Sequence, residues 1–113
     1  MDNIGDPELV TKLNDLTTRL TQGIKLMGQY GREYAQAEHD YKVQLAEEAI
    51  RLRNTDMPVT QINLVIYGSG KVPKMRFNRD IAQVMYETAK ENINVLKLQM
   101  RLLESQIDRE WRG

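Results

Sequence analysis

The stretch "NTDMPVTQINLVIYGSGKVPKMRFNR" (54–79) separates two long helical patterns and therefore decides the fold. It opens with Asn54, Asp56 and Pro58, which end the preceding helix because they favour turns or cannot continue a helix. It closes on residues that lead into a second helical pattern. Two long helices joined by a short connection predict a helical hairpin whose tip is this stretch.

The middle of the stretch, "VTQINLVIYG" (59–68), fits either a short helix or a strand. In a helix Thr60 would act as the N-terminal cap, and Gly68 ends the element in either structure. We favour the short helix, because an isolated strand in an otherwise helical chain has no strand to pair with. The helix would place four apolar residues on one side, namely Val59, Ile62, Val65 and Ile66.

The chain before the tip carries a helical pattern from residue 7 to about residue 53. Its start, "DPE" (6–8), suits the cap and first turn of a helix. Apolar residues then recur at steps of mostly three or four. They are Leu9, Leu13, Leu16, Leu20, Ile24, Met27, Tyr30, Tyr34, Tyr41, Leu45, Ala49 and Leu52. Each of Gly23, Gly28 and Gly31 costs about 1 kcal/mol relative to alanine in a helix, so these glycines mark a kink or a close approach by another backbone.

The chain after the tip carries the second pattern, a helix from about residue 79 to residue 111. Its apolar stripe begins with Ile81 and Met85 and is wider than the seam of a two-stranded coiled coil, so this helix should meet more than one neighbour. We therefore expect the protein to form a homo-oligomer through the apolar face of residues 81–107. The residues predicted to make that contact are Met85, Ile93, Leu96, Met100, Leu103 and Ile107.

Length and charge support one helical domain over residues 1–113. With seven aromatic residues in the chain, the core should be mostly aliphatic. Residues 1–56 hold seven Lys and Arg against ten Asp and Glu, whereas residues 57–113 hold nine against six. Antiparallel packing of the two halves would bring opposite charges together. We predict an all-α fold, a long antiparallel and coiled-coil-like helical hairpin with a short helix at the connecting tip.

The composition excludes several classes of function. The chain has no cysteine, which excludes disulfides, thiol catalysis and thiolate metal sites. No apolar run reaches the roughly 18 residues that a membrane span needs, and "MDNIGDPELV" (1–10) is too acidic and polar for a signal peptide. The formal net charge of zero gives no global attraction to nucleic acid or to anionic membranes. We expect a cytoplasmic protein with no membrane partner.

The sequence "GSGK" (68–71) follows an apolar run, as does the phosphate-binding loop of many nucleotide-binding enzymes. That loop has the pattern Gly-x-x-x-x-Gly-Lys-Ser/Thr. Here the position of the first glycine is Val65, and the position of the magnesium-binding hydroxyl is Val72. Pro73 follows at once, so we expect that no helix runs on from the lysine. We interpret the motif as a glycine-rich turn with an exposed lysine.

No constellation of residues points to catalysis or to a bound cofactor. His39 is the single histidine and lies in "EHD" (38–40), while Glu47 and Glu48 form an acidic pair. Adjacent residues on a helix point about 100° apart and do not converge on one ion or one reacting atom. We interpret "EHD" as a solvated face and the acidic pair as no site, for the same geometric reason. We expect a protein that is not an enzyme, with no catalytic residue, cofactor or metal.

Positive charge concentrates in the second half of the tip stretch. Four cations lie within nine residues around one aromatic residue, and no acidic residue occurs from 57 to 79. They suit a phosphate backbone or an acidic patch on a protein partner. Positive charge beside a helix N-terminus is unfavourable, which favours a function for it. The predicted contact residues are Ile62 and Tyr67 from the apolar part of the tip, together with Lys71, Lys74, Arg76, Phe77 and Arg79.

Three segments resemble short helical proteins encoded by phages and prophages of Gram-positive bacteria. They are "YAQAEHDYKVQLAEEAIRLR" (34–53), "MPVTQINLVIYG" (57–68) and "RDIAQVMYETAKENINVLKLQMRLLESQIDREW" (79–111). Genes of this kind often lie in early regions, near replication and recombination functions. The resemblance implies a non-enzymatic accessory protein of phage DNA replication or recombination, which docks on a host or phage protein or on DNA in the bacterial cytoplasm. The alternative is an inhibitor of a bacterial defence system, of the anti-CRISPR kind. A structural part of the virion fits less well, because the pattern resembles early genes.

Overall fold

The computed structural model describes residues 7–112, and every regular element in that part of the chain is helical. Helix α1 (Pro7–Arg53) is followed by the short helix α2 (Val59–Val65), one 3-10 turn (Ile66–Gly68) and helix α3 (Val72–Arg112). The predicted fold class, an all-α helical hairpin with a short helix at the connection, is confirmed. The helix that we favoured over a strand in the connection is present.

The chain groups into two compact units, each of which contains a segment of both long helices. The tip unit comprises residues 30–86. The terminal unit comprises, within the described part of the chain, residues 7–29 and 87–112. The prediction of a single domain stays a prediction, and the predicted helix cap at Asp6 lies outside the described residues.

Helix α1 ends where the turn-forming residues predict its end. The N–H of Asn54 still donates to the carbonyl oxygen of Ile50 at 3.0 Å, but Asp56 has a φ of +61°, which a right-handed helix does not contain. Thr55 Oγ1 donates to the carbonyl oxygen of Leu52 at 2.6 Å. This bond satisfies one of the acceptors that the end of a helix leaves open.

Helix α2 begins directly after Pro58, and the predicted cap at Thr60 is wrong. Thr60 lies inside the helix, while the residue at the cap position is Pro58, whose side chain makes no capping hydrogen bond. The Pro58 carbonyl oxygen accepts hydrogen bonds from the N–H groups of Gln61 and Ile62, each at 3.0 Å. Pro58 has no N–H and is extended, with ψ of 146°, so the helix starts at the next residue.

Helix α3 begins at Val72, about seven residues before the predicted start near residue 79. The expectation that Pro73 would stop a helix from following Lys71 is therefore wrong. Proline is compatible with the first turn of a helix, because the N–H groups there have no helical acceptor and its φ is already helical. The N–H of Val72 donates to the carbonyl oxygen of Ser69 at 3.1 Å, and Val72 is fully buried, so this residue anchors the helix start.

The core of the tip unit joins α2 to the end of α1. Its buried residues are Leu52, Ile62 and Ile66, with Leu45, Ala49 and Met57 packed against them. Ile62 and Ile66 are about one helical turn apart, so both meet this cluster. Val59 and Val65, which the sequence places on the same side as Ile62, are nevertheless exposed. Each lies three residues from Ile62, which turns it about 60° to one side.

Helix α1 continues without interruption through Gly23, Gly28 and Gly31. In the terminal unit, a Cβ on Gly23 would lie 3.4 Å from Ile93 Cγ1. In the tip unit, a Cβ on Gly31 would lie 3.2 Å from Tyr86 Cε1. At Gly23 and Gly31 the close approach is therefore made by side chains of α3 and not by another backbone.

The covered face of α3 differs from the predicted stripe near the tip. In the terminal unit its buried residues are the aliphatic Ala89, Ile93, Leu96 and Leu103. In the tip unit the covered face passes through the half-buried Ala82 and Tyr86, whereas Ile81 and Met85, which begin the predicted stripe, are exposed. The Tyr86 ring packs beside Gly31, and the neighbouring Met85 points about 100° to one side of Tyr86 on the same helix.

Candidate functional site at the hairpin tip

A buried carboxylate holds the glycine-rich turn of the tip unit. Glu48 in α1 is 4% exposed and accepts two hydrogen bonds from Arg51, from Nε to Oε1 at 2.8 Å and from Nη2 to Oε2 at 2.7 Å. Ser69 Oγ donates to Glu48 Oε2 as well. Arg51 Nη2 lies 3.3 Å from Ser69 Oγ, so the three side chains form one closed group, the Glu48 cluster.

Gly70 fits against the Glu48 cluster for two independent reasons. Its φ is +55°, a left-handed conformation that glycine adopts without the steric cost of a side chain. A Cβ at this position would also lie 2.9 Å from Glu48 Oε1. The "GSGK" motif is therefore a structural turn, in which Ser69 binds the carboxylate and Gly70 leaves room for it.

The Glu48 cluster keeps the carboxylate ionised. The hydrogen bonds from Arg51 and then from Ser69 lower the pKa of Glu48 from its ordinary value of 4.5 to about 2, against the effect of burial, which raises it. The sequence pattern did not identify Glu48 as a buried carboxylate. The clue in the sequence was its place two turns after Tyr41, because a carboxylate on a core face needs a partner.

Three of the four predicted contact cations are available at the tip. Lys71, Lys74 and Arg76 are exposed, and none of them forms an ion pair with another residue between 7 and 112. The guanidinium of Arg76 lies over the ring of Tyr67, 5.5 Å from its centroid. This contact places a cation and an aromatic ring side by side on the outside of the tip.

Arg79, the fourth predicted contact cation, is engaged inside the tip unit. Its side chain is 20% exposed; Nη1 lies 3.0 Å from Glu38 Oε1, and Nε lies 2.8 Å from Asp80 Oδ1. Its guanidinium also lies 4.7 Å from the centroid of the Tyr41 ring. The hydrogen bond with Asp80 raises the pKa of Arg79 above its ordinary value. Arg79 joins α3 to α1, which corrects its assignment as a contact residue.

The apolar residues that the tip exposes are not the predicted pair. Ile62 lies in the core of the tip unit, which corrects its assignment as a contact residue, while Tyr67 is half exposed. Leu64, which lies between the two predicted contact residues, is 83% exposed. A helix turns about 200° over two residues, so a buried Ile62 places Leu64 on the outside. Together the exposed residues form the tip surface: Leu64, Tyr67, Lys71, Lys74 and Arg76.

Phe77 is exposed but lines a shallow groove on the side of the tip unit. The groove has a volume of about 250 Å³. Its other lining residues are Tyr30, Glu33, Asn78, Ile81, Ala82 and Met85. The lining is mostly apolar and comes from both long helices, so Phe77 belongs to the side of the hairpin and Tyr67 to its tip.

The residues predicted for self-association are mostly covered by the chain itself. Those that are buried are Ile93, Leu96 and Leu103. The others are the half-buried Met100 and Ile107 and the exposed Met85. Side chains of Ile93 and Leu96 pack against the position of Gly23, within the terminal unit. The contact of α3 with α1 uses this stripe, so a second copy would have to meet a different face.

The acidic and histidine residues of α1 do not form a metal site. His39 is exposed, and the neighbouring Asp40 accepts a hydrogen bond from Gln36 Nε2 at 2.8 Å. Between residues 7 and 112, no group of three His, Cys, Asp or Glu side chains is placed to hold a metal ion.

In the same part of the chain, no helix has the length and apolar character that crossing a membrane requires.

No family model, no curated protein and no solved structure matches this chain. The resemblance to phage-encoded helical proteins therefore stays an expectation from the sequence. The tip surface is the feature of the molecule from which a function can be inferred.

Proposed function

We propose that this protein is a non-enzymatic, phage-type accessory protein that docks on a protein partner through its tip surface. In this proposal the partner belongs to the machinery of phage DNA replication or recombination. The protein works as a homo-oligomer in the cytoplasm of the bacterial host. The observation that carries the proposal is the exposure of Leu64 on a tip that the Glu48 cluster holds in place.

The tip exposes several apolar side chains that are close together in the sequence, which we call the patch. Four side chains within nine residues, Val59, Leu64, Val65 and Tyr67, are between 40% and 83% exposed. Single exposed apolar residues are normal on a protein surface, but a cluster of them marks an interaction site. The patch supports a partner that covers it with apolar surface of its own, as a protein does.

The support beneath the patch is fixed before any partner arrives. Ile62 and Ile66 attach the tip to α1, and the bonds of the Glu48 cluster attach the following turn. A surface that is already ordered loses little conformational freedom on binding, so more of its contact energy contributes to affinity. Lys71 and Lys74 beside the patch favour a partner with an acidic rim, because complementary charge speeds association.

The three free cations favour nucleic acid as a second candidate partner. Lys71, Lys74 and Arg76 can contact phosphates, and the ring of Tyr67 can stack on a base. Once Arg79 is engaged by Glu38, however, few phosphate contacts remain. The most exposed side chain of the patch is a leucine, which offers no flat ring for stacking, so a protein partner fits better.

An inhibitor of a bacterial defence system remains the alternative function. Such a protein would dock on a defence effector through the same patch, in the manner of an anti-CRISPR protein. The identity of the bound partner separates the two functions: a replication or recombination protein supports the first, and a defence effector supports the second.

The test is capture of partners from a lysate of phage-infected Gram-positive host cells on the immobilised protein. We expect Leu64→Asp to lower capture at least about tenfold, because it places a charge in the centre of the contact. The matched control is Leu26→Asp, which changes an exposed leucine of the terminal unit. If both folded variants capture as much partner as the unchanged protein, the tip surface does not bind the partner and the proposal is contradicted.

A mobility-shift assay separates the nucleic-acid candidate from the protein candidate. Single- and double-stranded DNA would be tested at about 50 mM and about 200 mM salt, because binding through phosphates weakens steeply with salt. A salt-sensitive shift that disappears in the variant Lys71→Glu, Lys74→Glu, Arg76→Glu would support DNA as the partner. We expect no shift at either salt concentration.

A further inference from the structure

Arg76 holds an exposed positive charge against the ring of Tyr67 in the tip unit. The centre of its guanidinium lies 5.5 Å from the ring centroid, within the range of a cation–π contact. No oxygen of residues 7–112 accepts a hydrogen bond from the Arg76 side chain. The ring therefore positions the guanidinium, while its N–H groups remain able to bind a carboxylate at two points.

The apolar neighbour of this pair is Leu64, which lies three residues before Tyr67. The chain is helical from Val59 to Gly68, so residues three apart are neighbours on its surface. Leu64 is 83% exposed, and Tyr67 is 50% exposed. Leu64, Tyr67 and Arg76 therefore form a continuous strip of surface, the tip strip, with an aliphatic group at one end and a cation at the other.

The charge of Arg76 is left for a partner, because the nearby carboxylates bond to other groups. Residues 57–79 contain no Asp or Glu. Asp80 follows one helical turn after Arg76, but its Oδ1 accepts a hydrogen bond from Arg79 Nε at 2.8 Å. Glu48, the carboxylate beside the glycine-rich turn, is engaged within the Glu48 cluster. The tip strip is therefore complementary to a negative charge from outside the chain.

Lys71 and Lys74 add positive charge at the start of α3. Both are exposed, and the first turn of α3 contains no acidic residue to balance them. The dipole of a helix is also positive at this end. Charges on a protein surface act over a Debye length of roughly 8–10 Å, so the two lysines attract an anionic group to the tip without having to contact it.

An acidic protein segment fits the tip strip better than a nucleic acid does. Leu64 can pack against an apolar side chain, but it offers no flat ring on which a base would stack. One cation in direct contact, with two lysines nearby, provides few of the phosphate contacts from which nucleic-acid affinity is built. An apolar contact beside an ion pair also excludes water from that pair, which strengthens it.

We propose that the tip strip recognises an acidic protein segment in which a carboxylate lies close to a large apolar side chain. The carboxylate binds the guanidinium of Arg76, and the apolar side chain packs on Leu64 and Tyr67. Lys71 and Lys74 speed the approach of the segment. The inference rests on the proposed function and names the chemistry of its partner.

Two labelled peptides of about 14 residues test the charge of the partner. Both carry leucines at steps of three and four; one carries glutamate at its other positions, and the other carries lysine there. Fluorescence anisotropy measures the binding of each peptide to the full chain. We expect the glutamate peptide to bind at least about tenfold more tightly. Equal affinity, tighter binding of the lysine peptide, or no binding of either at about 1 mM would overturn the proposal.

Charge exchange at Arg76 tests whether this residue makes the contact. Arg76→Glu should weaken binding of the glutamate peptide at least about tenfold and strengthen binding of the lysine peptide. The matched control is Arg101→Glu, at an exposed arginine of the terminal unit that forms no ion pair with another residue between 7 and 112. The control should leave both affinities unchanged. Equal weakening by the two variants would mean that net charge governs binding, which overturns the proposal.

Binding rates separate the direct contact from the surrounding charge. Arg76→Gln removes a group that contacts the bound carboxylate, so it should raise the dissociation rate about tenfold. Lys71→Gln combined with Lys74→Gln should instead lower the association rate about threefold at about 50 mM salt, and this loss should vanish at about 500 mM. Stopped-flow fluorescence with the glutamate peptide measures both rates. A change in the association rate alone for Arg76→Gln would overturn the direct contact.

Two measurements test other occupants of the tip strip. Labelled single-stranded DNA that binds more tightly than the glutamate peptide, and loses binding in Arg76→Glu, would assign the strip to phosphate and overturn the proposal. A lower mass of Leu64→Asp than of the unchanged protein in light scattering would assign the strip to a second copy, with the same consequence. We expect weaker binding of DNA and equal masses.

Partner capture from the infected-cell lysate separates this inference from the proposed function. We expect both Leu64→Asp and Arg76→Glu to lose capture. Loss with Leu64→Asp alone would leave the docking function in place and overturn the recognition of an acidic segment. Unchanged capture by both variants, together with charge-dependent peptide binding, would contradict the docking function and leave the recognition of acidic segments standing.

Discussion

The tip unit and the terminal unit each contain a segment of both long helices, but the contacts inside the two units differ in chemistry. In the tip unit a buried carboxylate, an arginine and a serine form the Glu48 cluster, and Arg79 bonds to Glu38 across the two helices. In the terminal unit the buried residues are aliphatic, as Ile93 and Leu96 against Gly23 illustrate. The tip unit adds these directional bonds to an apolar core of Leu52, Ile62 and Ile66, whereas the buried residues of the terminal unit are aliphatic.

The two kinds of contact contribute differently to conformational specificity and to folding stability. Aliphatic side chains of similar size can exchange partners with small losses, so an aliphatic seam contributes stability with little choice of alignment. A buried carboxylate accepts only an arrangement that satisfies its oxygens, because an unsatisfied charge away from water is costly. We infer that the Glu48 cluster selects one arrangement of the connection, whereas aliphatic burial stabilises both units. Three substitutions test this comparison.

The largest effect should come from a truncation in the aliphatic seam. Ile93→Ala should lower the free energy of unfolding by about 2–4 kcal/mol, because the side chain is buried and the glycine beside it leaves nothing to fill the cavity. The matched control is Ile24→Ala at a half-exposed position of the same unit, which should cost less than about 1 kcal/mol. Urea denaturation at one protein concentration measures both, and equal losses would contradict the assignment of Ile93 to the core.

A smaller effect should come from the glycine in the tip turn. Gly70→Ala should cost about 1–3 kcal/mol, because the left-handed conformation strains alanine and the new Cβ meets Glu48 Oε1. Gly68→Ala is the matched control, since a Cβ there would meet nothing within 4 Å. It should change stability by less than about 0.5 kcal/mol. If the two alanine variants unfold at the same urea concentration, the fit of Gly70 to the cluster has no energetic consequence.

The smallest effect should come from Glu48→Gln, and it should depend on pH. The pKa of Glu48 is lowered in the folded state to about 2, so its charge stabilises the fold above the ordinary value of 4.5. The urea midpoint of the variant should lie below that of the unchanged protein at neutral pH. The difference should shrink as the pH falls from about 4.5 towards 2, where the carboxylate becomes protonated in both states.

The neighbouring carboxylate provides the control for the pH experiment. Glu47 is exposed and lies one residue before Glu48. Glu47→Gln removes the same charge from the chain without touching the Glu48 cluster, so its urea midpoint should follow the unchanged protein across the whole pH range. A Glu48→Gln difference that does not vary with pH would mean that the shape of the side chain matters and its charge does not.

The long helices and their connection could be predicted because periodicity and breakers are local properties. Pro58 and the glycine at 68 mark boundaries whatever the tertiary structure is. The predicted start of α3 was wrong because proline has two effects on helices. It breaks a helix when it lies in the interior, but it is compatible with a helix when it lies in the first turn, as Pro73 does. Burial of Val72 decides between them, and burial is a tertiary property.

The candidate site could be predicted only in part, for the same physical reason. Lys71 and Arg76 are exposed as expected, but Arg79 has the same chemistry and is drawn inward by Glu38, which lies 41 residues away in the sequence. Likewise, Ile93 and Val95 are both aliphatic residues on one helix, and composition does not reveal which of them faces α1. Whether such a side chain is buried or exposed depends on the residues that face it from the other helix. The sequence pattern of one helix does not contain that information.

The bond between Glu48 and Ser69 also has a consequence for the order of assembly. It closes a loop of 21 residues, whereas the contact between Gly23 and Ile93 closes one of 70. The entropy of closing a loop grows with its length, and this difference corresponds to about 1 kcal/mol in favour of the shorter loop. Contacts that are close in sequence also form faster. We therefore expect the turn at the tip to form first during folding, and the contacts between α1 and α3 in the terminal unit to form afterwards.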